Sequence, residues 1–402
     1  MKSFPAKGGC NLPNLHKFVS LILTALLISS CTGSPPASAV SGSGPDSSIS
    51  SSLSEAQSAP SSSPETNGDP SSSGEPSPEP SSELASEPAS EPEPLPDHNP
   101  NPFTGQNNLA DSALGLRPVS VMVSNIQKAL PQYGISQADM YYEVLAEGGI
   151  TRIMALFADY RTVPRLGPVR SARQYYLDLA APFNTIFVHY GGSNQADSTI
   201  KARGLDTVNG VLYSTKYFYQ DQALAAQKGR EHSFFTSGEL IGKALAAGVS
   251  KSQGETIQAF RFAGEDYIPA QLPASTATVK YSSTTTARFV YDAQSGRYRK
   301  EQFGAAHMDA GNGQQLTVDN VFVLAVPTAV LTGVYKGLLS LDLSSGSGYY
   351  LSKGGAMSIT WRKGAYNEPL RFYQGDEELA VNKGVSYLCL IPENMVPSFV
   401  LG

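Results

Sequence analysis

"DMYYEVLAEGGITRIMALFADY", residues 139–160, is two strand-like runs separated by a glycine pair. Aromatic and β-branched residues fill both runs, and Gly148 and Gly149 supply the turn between them. Upstream, "RPVSVMVSN" (117–125) adds a third strand. Downstream, "GPVRSARQYYLDLA" (167–180) predicts a loop entering a helix, with Ser171 and Gln174 at capping-box spacing and Pro182 closing it. "NTIFVHYGG" (184–192) reads as a buried strand ending in a glycine turn, and "NQADSTIKARG" (194–204) as a short helix stopped by Gly204. "TSGELIGKALAAG" (236–248) predicts a last helix, with Thr236 and Glu239 as a second capping box. The order β-β-β-α-β-α over residues 103–270 predicts a mixed α/β fold, a layered αβ sandwich with a right-handed crossover.

From residue 271 the pattern changes. "ARFVYDAQSGRYRKEQ" (287–302) reads as a hairpin, and "NVFVLAV", "GLLSLDL", "AMSITWRK", "PLRFYQ" and "VSYLCLIP" follow as strands between Gly, Asn and Ser turns. Residues 271–402 are therefore expected to form a small antiparallel β-rich C-terminal domain, either standing apart or packed against the first to share one layered body.

The N-terminus carries an address. Lys2, Lys7 and Lys17 precede the apolar run "FVSLILTALLI" (18–28), too short to span a bilayer comfortably but suited to a signal peptide over residues 1–30. "ISSC" then places Cys31 where a bacterial lipobox has its acylated cysteine, which predicts a membrane lipid anchor on the extracytoplasmic face. Residues 31–102, dominated by Ser, Pro and Glu, bury too little apolar surface to offset chain entropy and are expected to be a disordered tether. A flexible coil of that length spans roughly 45–50 Å. With Cys10 in the signal peptide and Cys31 acylated, only Cys389 remains, so no disulfide is expected.

The net charge of −6 belongs to the tether, which holds eight Glu and three Asp and no Lys or Arg. The remainder carries 26 basic and 24 acidic residues once the signal peptide is set aside, a near-neutral balance that gives no support for a nucleic-acid-binding surface. No nucleotide-binding signature and no His/Cys cluster of metal-site spacing occurs, so no cofactor and no metal are expected.

The stretches "RPVSVMVSN", "QADMYYEVLAEGGITRIMALF", "GPVRSARQYYLDLA", "FVHYGGS" and "EHSFFTS", followed by "GRYRKEQFGAAHMDAGNGQQLTVDNVFVL", "ITWRKG" and "LAVNKG", resemble the YerB-like lipoproteins of bacteria in order and spacing. The resemblance covers nearly all of the chain beyond the tether. It implies a surface lipoprotein with an α/β N-terminal and a β-rich C-terminal domain, and no established activity. "EHSFFTS" departs from it where a Pro-His-Asn-like step is expected.

The chemistry must come from the residues. Arg170 and Arg173 stand where a helix begins, a position that disfavours cations by ~0.3–1 kcal/mol each. With Arg152 on the preceding strand they form a cationic corner that demands negative charge. Two sources are open: a carboxylate of the chain, with Glu143, Glu147 and Asp178 within reach, or an external phosphate, sulfate or carboxylate. Glu143 and Glu147 lie ~13 Å apart along a strand, too far for a direct acid–base pair, so each is expected to face an arginine. Ser193 reads either as a nucleophile assisted by His189 or His232 or, preferably, as a turn-and-cap serine. His307 and Asp309 read as polar turn residues rather than metal ligands, and Trp361 as a packed strand residue. The leading expectation is a non-enzymatic lipoprotein, held to the membrane by its lipid, that binds an anionic glycan, a phosphate ligand or a protein partner through Arg152, Arg170, Arg173, Glu143, Glu147, His189, Ser193 and His232. An enzyme acting on a phosphate-bearing or glycan envelope substrate is the alternative, and a pure interaction scaffold the third.

Overall fold

The computed structural model describes residues 99–333 and 337–402. The expected signal peptide, Cys31 and the tether up to residue 98 lie outside the described residues.

Five strands come from the first half: β1 (Val119–Asn125), β2 (Met140–Leu145), β3 (Thr151–Phe157), β4 (Ile186–His189) and β5 (Thr207–Asn209). Between and after them lie α1 (Gln174–Ala180), α2 (Asn194–Arg203), α3 (Gln222–Lys228) and α4 (Gly238–Ala246). The second half adds β6 (Thr276–Lys280), β7 (Thr286–Asp292), β8 (Arg297–Gln302), β9 (Asn320–Val326), β10 (Ser345–Ser352), β11 (Gly355–Arg362), β12 (Arg371–Gln374), β13 (Glu377–Glu378), β14 (Ser386–Pro392) and β15 (Val400–Leu401).

These strands make one twelve-stranded sheet in the order β13-β12-β11-β10-β9-β14-β2-β3-β1-β4-β5, with Leu272–Pro273 added on β11. A six-stranded sheet built around β8-β7-β6-β15 packs against it. The join between the two halves is a run of parallel pairing. β14 lies parallel to β9 on one side and to β2 on the other, from Ser386 opposite Met140 to Leu390 opposite Val144.

Every residue of β1, β3, β9 and β14 is buried, so the centre of the large sheet is covered on both faces. On one face Val121, Tyr141, Ile153, Val323 and Cys389 meet Val279, Phe289 and Tyr298 of the six-stranded sheet, with Ile241 of α4. On the other, Met122, Tyr142, Met154, Phe322 and Leu388 share a core with Tyr176, Leu177 and Leu179 of α1.

The expected layered αβ sandwich is not what forms; an antiparallel sheet of C-terminal strands does form, but the remaining C-terminal strands extend the large sheet. The fold is mostly β. The four α-helices among the described residues run seven to ten residues, about 10–15 Å each at 1.5 Å per residue. They are too short to cover a sheet this wide, so a second sheet covers one face instead. The central strands are apolar at nearly every position and demand cover on both sides. Helix starts also shift, by two residues at α1 and by one at α4. Arg173, in extended conformation, precedes α1 with no side-chain cap, while the Ser171 hydroxyl donates to the Tyr190 carbonyl. At α4 the cap is Ser237, not Thr236, whose hydroxyl donates to the Tyr217 carbonyl. Both expected capping boxes are thus absent.

Candidate functional site

Strands β1, β2, β4 and β5 run in the same direction, so their C-terminal ends share one edge of the large sheet. The segment 168–172 is laid across this edge as extended chain. Ser124 N–H donates to the Pro168 carbonyl, Arg170 N–H to Met122, Val169 N–H to Phe234 and Ala172 N–H to Gly191. These bonds use the backbone of the segment on both sides.

Glu147, just beyond β2, settles much of the charge. Its carboxylate accepts from Nε of Arg173 and from Nη2 at 3.0 Å, and lies 3.4 Å from Nη2 of Arg152. Burial alone would raise the Glu147 pKa; the Arg173 hydrogen bond and the charges of Arg152 and Arg173 outweigh it and hold the group below the ordinary glutamate value. Arg152 is buried, donates to the Ser171 carbonyl at 2.9 Å, and is pushed down to about 10 by burial and by the charge of Arg173. Neighbouring arginines are matched as well. Arg161 pairs with Asp159, Arg203 with Asp178, and Arg165 with Asp221 while lying 3.8 Å and 4.0 Å from the ring centres of Tyr133 and Phe235.

Arg170 is different. Its guanidinium donates to the Glu231 backbone carbonyl at 2.7 Å, and among the described residues no carboxylate comes within ion-pair distance. It lines a cleft of about 320 Å³ with Ser171, Tyr190, Arg230, Glu231 and Phe234. Tyr190 and Phe234 stack at 4.1 Å, and the Arg230 guanidinium lies 5.7 Å from the Phe234 ring centre. Arg230 also has no carboxylate within ion-pair distance among the described residues. The sequence reading missed it because it precedes no recognisable element.

His232 is buried near this cleft, with Nε2 3.4 Å from the Glu231 carboxylate; burial and the charge of Arg170 hold it below the ordinary histidine range. His189 is buried at the end of β4 and donates from Nδ1 to the Gly191 carbonyl at 2.7 Å, and burial lowers its pKa too. Ser193 caps α2, its hydroxyl accepting from Ala196 N–H at 3.2 Å. Neither histidine hydrogen-bonds to it, so the described residues contain no serine–histidine dyad here. Ser193 and Arg173 instead border a separate hollow of about 530 Å³.

Glu143 does not face an arginine. It is fully buried between the sheets and accepts from Asn125 and Thr151 on one oxygen and from Tyr387 on the other, each at 2.7 Å, with Nζ of Lys300 at 3.4 Å from the second. His307 belongs to the same cluster, accepting from Lys300 at Nδ1 (3.0 Å) and donating from Nε2 to Gln132 (2.6 Å). Asp309 accepts from the backbone of Gly134 and Ser136, tying the second half of the chain to the loop before β2. The signal for Lys300 was available: in "RYRKEQ" it shares the inward register with Tyr298 and Gln302. Among the described residues no group of three metal-ligating side chains occurs.

Comparison with known proteins gives the following. Residues 103–252 match the family model described as "Protein of unknown function (DUF3048) N-terminal domain", and residues 277–388 its C-terminal domain. A curated relative, "Putative lipoprotein YerB" of Bacillus subtilis (strain 168), is 31% identical over 251 residues, 61% of this chain and 73% of the relative. The crystal structure of YerB protein from Bacillus subtilis aligns with a TM-score of 0.66 at 25% identity, covering 75% of this chain and 99% of that one.

Proposed function

The chain belongs to the DUF3048 family, and on that premise we propose that it is a lipoprotein anchored through Cys31 whose folded part offers Arg170 and Arg230 to an anionic ligand outside the membrane. The relative's name and the "ISSC" sequence support the anchor. One observation carries the ligand reading: in a corner where Glu147 neutralises Arg152 and Arg173, Arg170 and Arg230 line one cleft and, among the described residues, neither has a carboxylate within ion-pair distance, although Glu231 lines the same cleft and its charge acts on Arg170. Two guanidinium groups lining one concave surface suit a phosphate or the carboxylate of an acidic glycan. Among the described residues no helix is long and apolar enough to cross a membrane.

The test is thermal unfolding of the full chain against inorganic phosphate and glucuronate. A ligand at 100 times its Kd stabilises by about 2.7 kcal/mol. The parent is expected to show a saturating rise in Tm with one of the two anions, and Arg170→Ala and Arg230→Ala to lose it. No saturating rise in the parent, or an unchanged rise in both variants, overturns the reading.

A further inference from the structure

The charged cluster between the sheets takes no part in the cleft, and its arrangement suits a reaction of its own. We propose that Lys300 and Glu143 become joined by an amide bond between Nζ and Cδ, formed within the folded chain with release of water.

Both side chains are completely buried, and Nζ stands 3.4 Å from Oε2 of Glu143. Each is held on several sides. Nζ also donates to Oε1 of Gln302 and to Nδ1 of His307, while Tyr387 donates to the same carboxylate oxygen that faces the amine. The walls are aromatic: the ring centres of Tyr387 and Phe289 lie 5.2 Å and 5.9 Å from Nζ. In water, hydrolysis of an amide to an ammonium and a carboxylate is driven largely by the solvation of the two ions. A dry interior removes that solvation, and burying two charges costs more than a neutral amide in the same place. Fixed contact at this range also replaces a bimolecular encounter by an intramolecular one.

The protons have a place to go. Nε2 of His307 is occupied as a donor to Gln132, so Nδ1 presents a lone pair to the amine at 3.0 Å. Burial, opposed by the charge of Glu143, lowers the Lys300 pKa, while burial and the charge of Lys300 hold His307 well below the ordinary histidine range, so His307 holds the proton only in transit. The Lys300 ammonium passes one proton to Nδ1, and the nitrogen lone pair then bonds to Cδ of Glu143. Nζ gives up a second proton and His307 returns the first, so Oε2 leaves as water and the third hydrogen remains on the amide. Ammonium and carboxylate are consumed, amide and water are formed, and no oxidant or further reactant is needed. The bond would link β8 of the smaller sheet to β2 of the larger one, tying the two family-matched segments together covalently.

The experiment is a peptide map by mass spectrometry of the purified full chain, denatured and digested. The expected product is one species containing the Glu143 and Lys300 peptides joined, lighter than their sum by one water. It should vanish in Lys300→Met and Glu143→Ala. Glu143→Gln should give the same joined species, now by loss of ammonia, which keeps the test open if the alanine variant does not fold. Recovery of both peptides as linear species from the folded parent overturns the proposal, as does a linked Lys300 that persists in Glu143→Ala.

Discussion

Arg170 and Arg173 stand three positions apart on one segment, and only Arg173 has a carboxylate. That difference makes a contrast in stability. Glu147→Gln leaves the buried Arg152 and the half-buried Arg173 without their shared counter-charge and should cost about 1–3 kcal/mol or more. Arg170→Ala removes one hydrogen bond to a backbone carbonyl and should cost about 0.5–1.5 kcal/mol; urea unfolding of the two variants checks the order. The Glu147 pKa is lower folded than unfolded. Its stabilisation is therefore fully present above the unfolded value of about 4.3 and is lost as pH falls through the folded one. The gap between parent and Glu147→Gln should hold from pH 7 to 5 and narrow progressively as pH falls below about 4.3. A gap that stays constant down to pH 3 would show that the ion pairs contribute nothing. Cys389 is held fully buried, and burial pushes its thiol up. In a chain carrying Cys10→Ser and Cys31→Ser, a thiol reagent should label Cys389 only as the protein unfolds.

At the scale of elements, β14 decides cooperativity. It is the next-to-last strand of the chain, yet it pairs with β2 of the first half, so neither segment completes its share of the sheet alone. Ending the chain at Gly384 should abolish folding of the first half as well, seen as loss of β-sheet circular dichroism throughout; a folded, protease-resistant first half would refute this. The strands themselves were legible. "RPVSVMVSN", "TRIMALF", "NVFVLAV" and "SYLCLIP" are runs that no other element accommodates, and the structure has strands at each. Their partners were not. Periodicity reports which faces need cover, and β1 and β14 need cover on both, but it does not say whether a helix or a second sheet supplies it. The site was legible to the same degree. The excess of arginine was visible, but the assignment of Glu147 to two of them depends on the turn at Gly148, and Glu143 found a lysine 157 positions away.

For the whole molecule, the proposed anchoring and the proposed binding are tested separately. Cys31→Ser should leave an uncleaved precursor or a protein released from the membrane fraction, while keeping the thermal unfolding of the parent; processing at the same position with full membrane retention would contradict a lipid anchor. The central claim concerns where an anion sits. X-ray diffraction from crystals of the protein soaked in tungstate, a heavy-atom tetrahedral anion, locates it directly by its anomalous signal. The account predicts a peak between the guanidinium groups of Arg170 and Arg230, absent in Arg170→Ala. A peak beside Arg152 and Arg173 with Glu147 displaced, or no peak near the cleft at all, would contradict it.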